Sequence, residues 1–400
     1  MAVIGIVCEY NPFHRGHELH IQKSRVALGE ESPVICVQSG DFVQRGEAAV
    51  YDKFARAEAA CRCGADLVIE LPLPWCLSSA EGFARGAVSL LGALGCTHLS
   101  FGSETGELDA LQALAGALRE PGFLLEIKAL LEREPNLSFA AARERAMQQR
   151  LGDSALLLRQ PNNILAVEYL KAIRELGLPL TPLPILREGA PHDGEGDGSG
   201  PRSASELRRM LRAGESIAGE VPQRAEEVYA RERALGRELR DPRLPELALL
   251  SRLRMLEETD YGKLPDAEGG LGRRLYRAVQ EEASLEGILA AAKSKRYALA
   301  RLRRMCLCAA LGIRAEMARG LPPYARVLAA NARGRALLRE LSGQSGVPIL
   351  IRPGAVRELG EDCEALFRLG ARAHDFYVLG FPEEQRRPGE DWRRMPAMEF

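Results

Sequence analysis

The sequence contains no long hydrophobic run. None of its apolar runs approaches the roughly 20 residues that a membrane-spanning helix needs, so we predict no transmembrane segment and no membrane partner. The first residues, MAVIGIVCEYNPFHRGH, have no basic region ahead of the apolar run and turn polar after about eight positions. This pattern predicts a buried first strand and not a signal peptide. We therefore expect a cytoplasmic protein.

Cysteine is too sparse and too irregular for a disulfide framework. The chain has nine cysteines, an odd number, and no pair of C-x-x-C motifs. Two C-x-C pairs, Cys61/Cys63 and Cys306/Cys308, lie in helical-looking runs, where cysteine usually behaves as a small hydrophobe. We favour packing over metal ligation for both pairs and predict no metal site in the protein.

Short apolar runs alternate with helical patterns in the first half of the chain. The predicted strands are residues 3–7, 34–38, 66–71, 98–101 and 183–186, and the predicted helices are residues 16–28, 53–63, 79–94, 110–118, 123–133, 139–150 and 163–176. Because these strands carry few polar residues, we expect helices to cover both of their faces. The alternation predicts an α/β fold with a doubly wound, mostly parallel sheet, in which ligands bind at the carboxyl ends of strands.

The second half of the chain has a different pattern. Residues 189–202, GAPHDGEGDGSGPR, are rich in glycine and acid, which predicts a loop that is either a flexible lid over a phosphate site or a passive surface loop. A short helix is predicted over 203–213, and helical patterns continue to about residue 340. We place a domain boundary near residue 215, with a catalytic domain at 1–215 and a mainly helical domain at 216–400. Residues 347–352 and 376–381 predict two further short strands.

The first predicted strand runs directly into CEYNPFHRGH at residues 8–17, and a helix follows. At such a junction, backbone N–H groups and the positive end of the helix dipole face a bound anion. His14 and His17 can donate to phosphate oxygens, Gly16 allows close backbone approach, and Pro12 stiffens the turn. The pattern predicts a triphosphate site whose catalytic devices are positioning and charge stabilisation.

The H-x-G-H signature resembles that of the nucleotidylyltransferase superfamily, which also includes class I aminoacyl-tRNA synthetases. A longer series of segments is similar to the bacterial tRNA(Met) cytidine acetate ligase family, and it spans most of the chain. These segments are GIVCEYNPFHRGH (5–17), SGDFVQRGE (39–47), DLVIELP (66–72), FGSE (101–104), PNNIL (161–165), Arg187, SASELR (203–208) and KRY (295–297). The resemblance implies a nucleotidylyltransferase Rossmann-like fold followed by a mainly helical tRNA-binding domain.

The resemblance also implies an activity and a set of site residues. Acetate would attack the α-phosphate of ATP to give acetyl-adenylate and pyrophosphate, and the acetyl group would pass to the wobble cytidine of elongator tRNA(Met) as N4-acetylcytidine. Mg²⁺ is expected from the charge of the triphosphate. His14 and His17 would be catalytic, and the ATP-binding residues would be Val7, Cys8, Glu9, Tyr10, Asn11, Pro12, Phe13, His14, Arg15, Gly16, His17, Glu18, Leu19, His20, Gly102, Asn162 and Arg187.

Three of these positions also make sense from the sequence pattern. Gly102 closes a predicted strand and Arg187 follows another, where sheet topology places ligands. Asn162 precedes a helical run, so it either contacts the nucleotide or caps the helix, and its neighbour Asn163 is an alternative contact.

Two further segments are weaker candidates. Ser203, Ser205 and Arg208 fall where related enzymes have a second phosphate-binding loop, although Ser203 or Ser205 is equally suited to a helix cap. The lysine of the corresponding synthetase motif is missing, and Arg208 is its candidate substitute. Asp41, Gln44, Arg45 and Glu47 follow the second strand, where either acetate or the target base could bind or a salt-bridged surface loop could lie.

A basic run lies in the helical half. Six basic residues fall within the twelve positions 293–304, whereas the whole chain has a net charge of −1, so any RNA contact must come from a local patch. Positions 293, 296, 297, 300, 301 and 304 share one face of a predicted helix. The candidate RNA-binding residues are Lys293, Lys295, Arg296, Tyr297, Arg301 and Arg304, with a solvated helix face as the alternative.

Two other functional classes remain open from the sequence. One is another H-x-G-H enzyme, acting on a small cofactor precursor or transferring acetate to a protein thiol. The other is a nucleotide-binding regulatory or RNA-binding protein without turnover. The helical half with its basic run favours the tRNA enzyme over the first of these.

Overall fold

The computed structural model describes residues 1–134, 136–187, 202–239 and 246–398. The loop predicted over 189–202 lies outside the described residues except for Arg202. None of the described helices combines the length and the apolar character needed to cross a membrane.

Among the described residues, seven strands form one sheet and two more form a short hairpin. The strands are β1 Ile4–Cys8, β2 Val34–Ser39, β3 Phe42–Val43, β4 Glu47–Ala48, β5 Leu67–Leu71, β6 His98–Ser103, β7 Thr181–Leu186, β8 Ala325–Ala330 and β9 Ile349–Leu350. The sheet order is β7-β6-β1-β2-β5-β8-β9, with only the β5–β8 pair antiparallel, and β3 pairs with β4 in the hairpin. The chain therefore reverses its direction of winding at β1, which is where such sheets bind ligands.

Helices cover both faces of the sheet. In the described residues they are α1 Arg15–Leu28, α2 Lys53–Arg62, α3 Ala80–Ala93, α4 Leu108–Arg119, α5 Phe123–Arg133, α6 Phe139–Leu151, α7 Pro161–Glu175, α8 Ala204–Arg212, α9 Gln223–Ala234, α10 Glu246–Arg254, α11 Glu258–Gly262, α12 Leu271–Glu281, α13 Leu285–Ala292, α14 Leu299–Leu311, α15 Ala332–Leu341 and α16 Glu361–Val378. Side chains such as Ile4 and Ile6 of β1 are buried with α2 and α9 on one face, while Ile35 and Val37 of β2 belong to the core on the other. The predicted doubly wound α/β fold is confirmed.

The C-terminal half differs from the sequence prediction in two ways. The segment Ala325–Ala330, which we predicted as helical, is a fully buried strand. Its sequence ARVLAA is too short and too uniformly apolar for periodicity to distinguish strand from helix. The strand predicted over 376–381 is wrong, because α16 continues to Val378 and buries Phe367, Ala371, His374 and Tyr377 on one helical face. The strand predicted over 347–352 is present as the shorter β9.

The two halves of the chain share a buried charge network. Lys53 Nζ of α2 lies 2.8 Å from Glu70 Oε1 of β5 and 3.0 Å from Asp391 Oδ1 near the C-terminus. Arg326 Nη1 of β8 lies 3.2 Å from Glu70 and 2.8 Å from Asp391. The domain boundary near residue 215 stays a prediction. Strands β8 and β9 from the second half complete the sheet, and Asp391 and Arg326 from that half pair with Lys53 and Glu70 of the first.

Candidate active site

A cavity of about 410 Å³ opens at the carboxyl ends of β1, β6 and β7, beside the N-termini of α1, α7 and α8. Fifteen of the residues predicted for ATP or for the second phosphate loop line it. They are Val7, Cys8, Glu9, Tyr10, Asn11, His14, Gly16, His17, Leu19, His20, Gly102, Asn162, Arg187, Ser203 and Arg208. The cavity is also strongly cationic, since Lys23, Arg45 and Arg202 line it together with Arg187 and Arg208.

Five of the predicted residues do not line this cavity. Pro12 and Phe13 are buried, and the Phe13 N–H donates to the Tyr229 hydroxyl of α9 at 2.8 Å. Arg15 is exposed, and Glu18 is half-buried on α1. Ser205 accepts a bond from Arg208 Nη2 at 3.2 Å. Phe13 and Ser205 are thus bonded to other parts of the chain, while the neighbours of these five residues face the cavity.

A reciprocal histidine cap begins helix α1. His14 is the N-cap residue, and its Nδ1 accepts the Gly16 N–H at 3.0 Å. The N–H of His14 in turn donates to Nδ1 of His17 at 3.2 Å. Two of the helix's otherwise unpaired backbone donors are thereby satisfied, which fixes both rings at the point where α1 begins.

The cap determines which ring nitrogen of each histidine carries the proton. Because Nδ1 of His14 and Nδ1 of His17 both accept backbone N–H groups, both Nδ1 atoms keep their lone pairs. In the neutral rings the hydrogen is then on Nε2. Both residues line the cavity, so the cap prepares two imidazole N–H donors beside the positive end of the α1 dipole.

Aromatic packing holds the two imidazoles in place. The His14 and His17 ring centroids are 3.8 Å apart, and Tyr10 meets His17 edge-on at 4.8 Å. Tyr10 has a φ of 48°, a left-handed conformation that is uncommon for an aromatic residue. This conformation turns the chain sharply between β1 and α1.

A buried arginine that was not predicted as a site residue holds two strand ends together. Arg56 of α2 is fully buried and donates to the backbone carbonyls of Glu9, Ser39 and Gly40. These carbonyls lie at the ends of β1 and β2, so one guanidinium holds both strand ends in place where the sheet reverses its direction of winding. The sequence signal was an arginine in the alanine-rich run KFARAEAAC, a position usually buried in a helix that packs on a sheet.

Glu9 is a partly buried carboxyl group in the cavity wall. Its Oε1 accepts the Gln44 N–H at 2.6 Å and the Ser39 hydroxyl at 3.4 Å. Burial raises the pKa of Glu9, although the Gln44 N–H and the nearby Arg208, Arg56 and Arg45 oppose that rise. The carboxyl group is thus held rigidly by one oxygen.

The structure separates the roles of the two adjacent asparagines. Asn163 is fully buried, where its Oδ1 accepts the Ser103 hydroxyl at 2.8 Å and the Glu104 N–H at 3.1 Å. Asn162 lines the cavity, and its Nδ2 donates to Glu104 Oε1 at 2.6 Å. Gln160, not Asn162, is the N-cap residue of α7, so the capping interpretation of Asn162 is wrong. Glu104 receives the first N–H groups of α7 and was not singled out from the sequence.

Gly102 of β6 and Arg187, which directly follows β7, lie at the other side of the cavity. A Cβ at residue 102 would come within 3.3 Å of Arg187 Cγ, so glycine leaves the arginine stem room to cross the strand end. His20 Nε2 pairs with the Ser100 hydroxyl at 2.8 Å. Burial, together with the charges of Arg187 and Lys23, lowers the pKa of His20 to about 4. His20 is therefore a neutral polar group near neutral pH.

The predicted second phosphate loop contacts the loop at residues 8–17. Ser203 caps α8, with Glu206 completing a capping box, so the capping alternative is confirmed for Ser203. Arg208 Nη1 donates to the Asn11 carbonyl at 2.9 Å, which links α8 to the loop that carries His14. Burial lowers the pKa of Arg208, with Glu47 and Glu9 opposing.

Of the four candidate residues after β2, one is buried and three line the cavity. Asp41 is buried away from the cavity, accepting the Lys53 N–H at 2.9 Å and pairing with His374 Nδ1 at 2.9 Å. Gln44, Arg45 and Glu47 line the cavity. Glu47 is paired with Arg303 at 2.5 Å and Arg212 at 3.8 Å.

The basic run does not form one helical face. Helix α13 ends at Ala292 and α14 begins at Leu299, so Lys293, Lys295, Arg296 and Tyr297 lie in the turn between them. The prediction was wrong because periodicity cannot detect the turn, which is closed by a Tyr297 N–H bond to the Ser294 carbonyl. Arg301 donates to the Asp266 carbonyl at 2.6 Å and Arg304 pairs with Asp266 at 3.1 Å.

That turn forms one wall of a second groove, of about 400 Å³. Lys295, Arg296 and Tyr297 face the start of α12, where Gly270 is the N-cap residue and Arg274 also lines the groove. Lys293, Lys295 and Arg296 are exposed, and Arg301 lies over the Tyr297 ring at 5.2 Å.

The cysteines behave as packing residues. All nine are free and buried, including both C-x-C pairs. No group of three or more His, Cys, Asp or Glu side chains that could hold a metal ion occurs among the residues that the structure describes.

Comparisons with known proteins agree with this geometry. The family model described as HIGH Nucleotidyl Transferase matches residues 1–391. The tRNA(Met) cytidine acetate ligase of Syntrophomonas wolfei subsp. wolfei is 37% identical over 99% of each chain. The protein of the same name from Syntrophotalea carbinolica is 38% identical over 88% of this chain and 84% of its own.

Solved structures extend the match to the whole fold. Crystal structures of TmcAL from Thermotoga maritima, apo and bound with alpha-thio ATP, superpose with TM-scores of 0.93 and 0.89. Each covers 100% of this chain and 99% of the other at 30% identity. The chain therefore belongs to the HIGH nucleotidyl transferase family and, within it, to the tRNA(Met) cytidine acetate ligases.

Proposed function

We propose that this protein is an ATP-dependent acetate ligase that acetylates the wobble cytidine of elongator tRNA(Met) at N4. In the first step, an acetate oxygen attacks the α-phosphorus of ATP and pyrophosphate leaves with the electron pair of the broken P–O bond. In the second, the cytidine N4 attacks the acetyl carbonyl and AMP leaves. The observation that carries the proposal is the cavity in which two Nε2–H donors, a helix N-terminus and several cationic side chains converge.

The first step suits the residues in that cavity. Pyrophosphate carries more negative charge on its bridging oxygen as it leaves, and donors fixed in advance stabilise such charge without reorganising. His14 and His17 supply these donors, with rings fixed by the cap. We place the triphosphate over the start of α1, and the adenosine between Gly102, Asn162 and Arg187. Mg²⁺ bound to the triphosphate of ATP would neutralise part of its charge.

We place the RNA contact at the groove beside the 293–297 turn. Lys293, Lys295 and Arg296 are exposed there, which suits contact with the phosphates of an RNA backbone. Arg301 and Arg304 play a supporting role, because their guanidinium groups are bonded to Asp266. This revises the predicted RNA surface from a helical stripe to a turn.

Exchange of labelled pyrophosphate into ATP tests the first step. We expect exchange that depends on acetate. Exchange that depends on a different acid would favour another adenylyltransferase, and no exchange with any carboxylate would favour a binding protein without turnover.

A further inference from the structure

Acyl transfer to cytidine requires an acceptor for the N4 proton, and the cavity offers few candidates. The exocyclic amine loses a proton as its C–N bond to the acetyl group forms, so a positioned base accelerates the step. Such a base needs a free lone pair that faces the substrate.

The histidines of the cavity are unsuited to this role. Nδ1 of His14 and Nδ1 of His17 are both occupied by backbone N–H groups, so their Nε2 atoms donate and do not accept. Nε2 of His20 is already bonded to the Ser100 hydroxyl. The same cap that makes two histidines good phosphate donors therefore makes them poor bases.

Among the described residues, two carboxylates lie in the cavity wall, and one of them is paired with arginines. Glu47 is held between Arg303 and Arg212. Glu9 is bonded through Oε1 alone, to the Gln44 N–H and the Ser39 hydroxyl, and no described residue donates a hydrogen bond to its Oε2. We propose that Glu9 is the base of the transfer step, with Oε2 accepting a hydrogen bond from the cytidine N4 amine and then its proton.

This inference rests on the proposed function and adds a catalytic residue to it. The N4 lone pair forms the new C–N bond, the acetyl C–O bond to AMP breaks, AMP leaves with the electron pair, and the N4 proton passes to Glu9. Carboxylates are also the side chains that recognise the cytosine N4 amine through a hydrogen bond. A single residue would thus orient the amine and receive its proton.

The surroundings of Glu9 make it a stronger base than a surface carboxylate. Burial raises its pKa, which brings the group closer to the pH at which a base is most effective. The charged and titratable groups around it are Arg208 of α8, Arg56 of α2, Arg45 of the hairpin, Tyr169 of α7 and Cys76. The three arginines oppose this rise in the pKa of Glu9.

The two half-reactions can be measured separately. Exchange of labelled pyrophosphate reports adenylation, and rapid-quench transfer from preformed acetyl-adenylate to an unmodified tRNA(Met) transcript reports acylation. Glu9→Gln keeps the Oε1 acceptor and removes the base. We expect transfer to slow by about 100-fold or more and to fall at least about tenfold further than exchange. Glu47→Gln is the matched control, and it should change both rates by similar factors.

The pH profile gives a second readout that a structural role would not move. Transfer in the wild type should rise with pH as Glu9 ionises, and this rise should be absent in Glu9→Gln. If Glu9→Gln does not fold, Glu9→Asp keeps the charge but retracts it, and transfer should again fall further than exchange. Equal losses in both steps, or full transfer without the carboxylate, would overturn the assignment. Absence of acetate-dependent exchange in the wild type would instead overturn the proposed function.

Discussion

Gly16 and His14 are fitted to each other. A Cβ at residue 16 would lie 3.1 Å from Nδ1 of the His14 ring and 2.8 Å from Cε1, and the second distance is closer than real Cβ atoms come to such neighbours. In its present position the His14 ring accepts the Gly16 N–H, and a side chain at residue 16 would force the ring to shift. The glycine of the H-x-G-H signature is thus required for the orientation of the first histidine.

Gly16→Ala should therefore disable adenylation without unfolding the protein. The added methyl group displaces the His14 ring, and a displacement of about 1 Å in a positioning group can cost about 100-fold in rate. Acetate-dependent pyrophosphate exchange measures the loss, and thermal denaturation checks the fold. Exchange at the wild-type rate in a folded variant would show that the fit is incidental.

His17→Ala should abolish measurable acetyl-adenylate formation. The substitution removes one donor to the leaving pyrophosphate, which typically costs about 100- to 1,000-fold. It also leaves the His14 N–H without its cap, so the free energy of unfolding should fall by about 1 kcal/mol. Exchange and urea denaturation check the two effects, and unimpaired exchange would refute the role of His17.

The paired asparagines should respond in opposite ways. Asn163→Ala leaves the buried Ser103 hydroxyl and Glu104 N–H without their acceptor and should lower the free energy of unfolding by about 1–3 kcal/mol. Asn162→Ala should raise KM for ATP with little effect on stability, because Asn162 lines the cavity. Equal effects of the two substitutions on both KM and stability would contradict this division.

The sequence predicted the first half of this molecule well and the second half less well. The site at residues 8–17 could be predicted because a strand, a turn and the start of a helix coincide there. Every predicted strand of the first half is present in the sheet. The strand Ala325–Ala330 was missed because a short, fully buried apolar run has no periodicity of its own. Arg56 and Glu104 were missed because each acts on backbone groups that are distant in sequence.

Lys295→Glu combined with Arg296→Glu should separate RNA acetylation from adenylation. Both side chains are exposed on the turn beside the second groove, so the charge reversal should repel the tRNA backbone and leave the ATP cavity intact. We expect normal pyrophosphate exchange and loss of tRNA acetylation. Arg301→Gln is the control variant. Because Arg301 is bonded to the Asp266 carbonyl, this substitution should lower tRNA acetylation less than the double charge reversal does. Survival of both steps in the double variant would exclude the turn as the RNA site.

Stability should depend on pH through the buried pair of Asp41 and His374. Burial lowers the pKa of His374, but the Asp41 carboxylate outweighs burial and raises it overall. Burial raises the pKa of Asp41, and His374 overrides this to bring it to about 2. The His374 contribution is complete below its unfolded pKa of about 6.5 and is lost as the pH rises through the higher folded value. The Asp41 contribution is present above about pH 4 and is lost as the pH falls toward 2.

The difference in Tm between wild type and His374→Gln should therefore be largest near pH 5 to 6, roughly, and should shrink in alkaline solution. Thermal denaturation across this range measures it. A difference that grows with rising pH would show that His374 is neutral in the folded protein.

We propose that this cavity activates acetate and that the acetyl group reaches tRNA. The most direct test is mass spectrometry of nucleosides from tRNA(Met) incubated with the protein, ATP and isotopically labelled acetate. We predict labelled N4-acetylcytidine at the wobble position with the wild type and none with His17→Ala. Unlabelled tRNA after incubation with the wild type, ATP and acetate would show that the protein is not a tRNA acetate ligase.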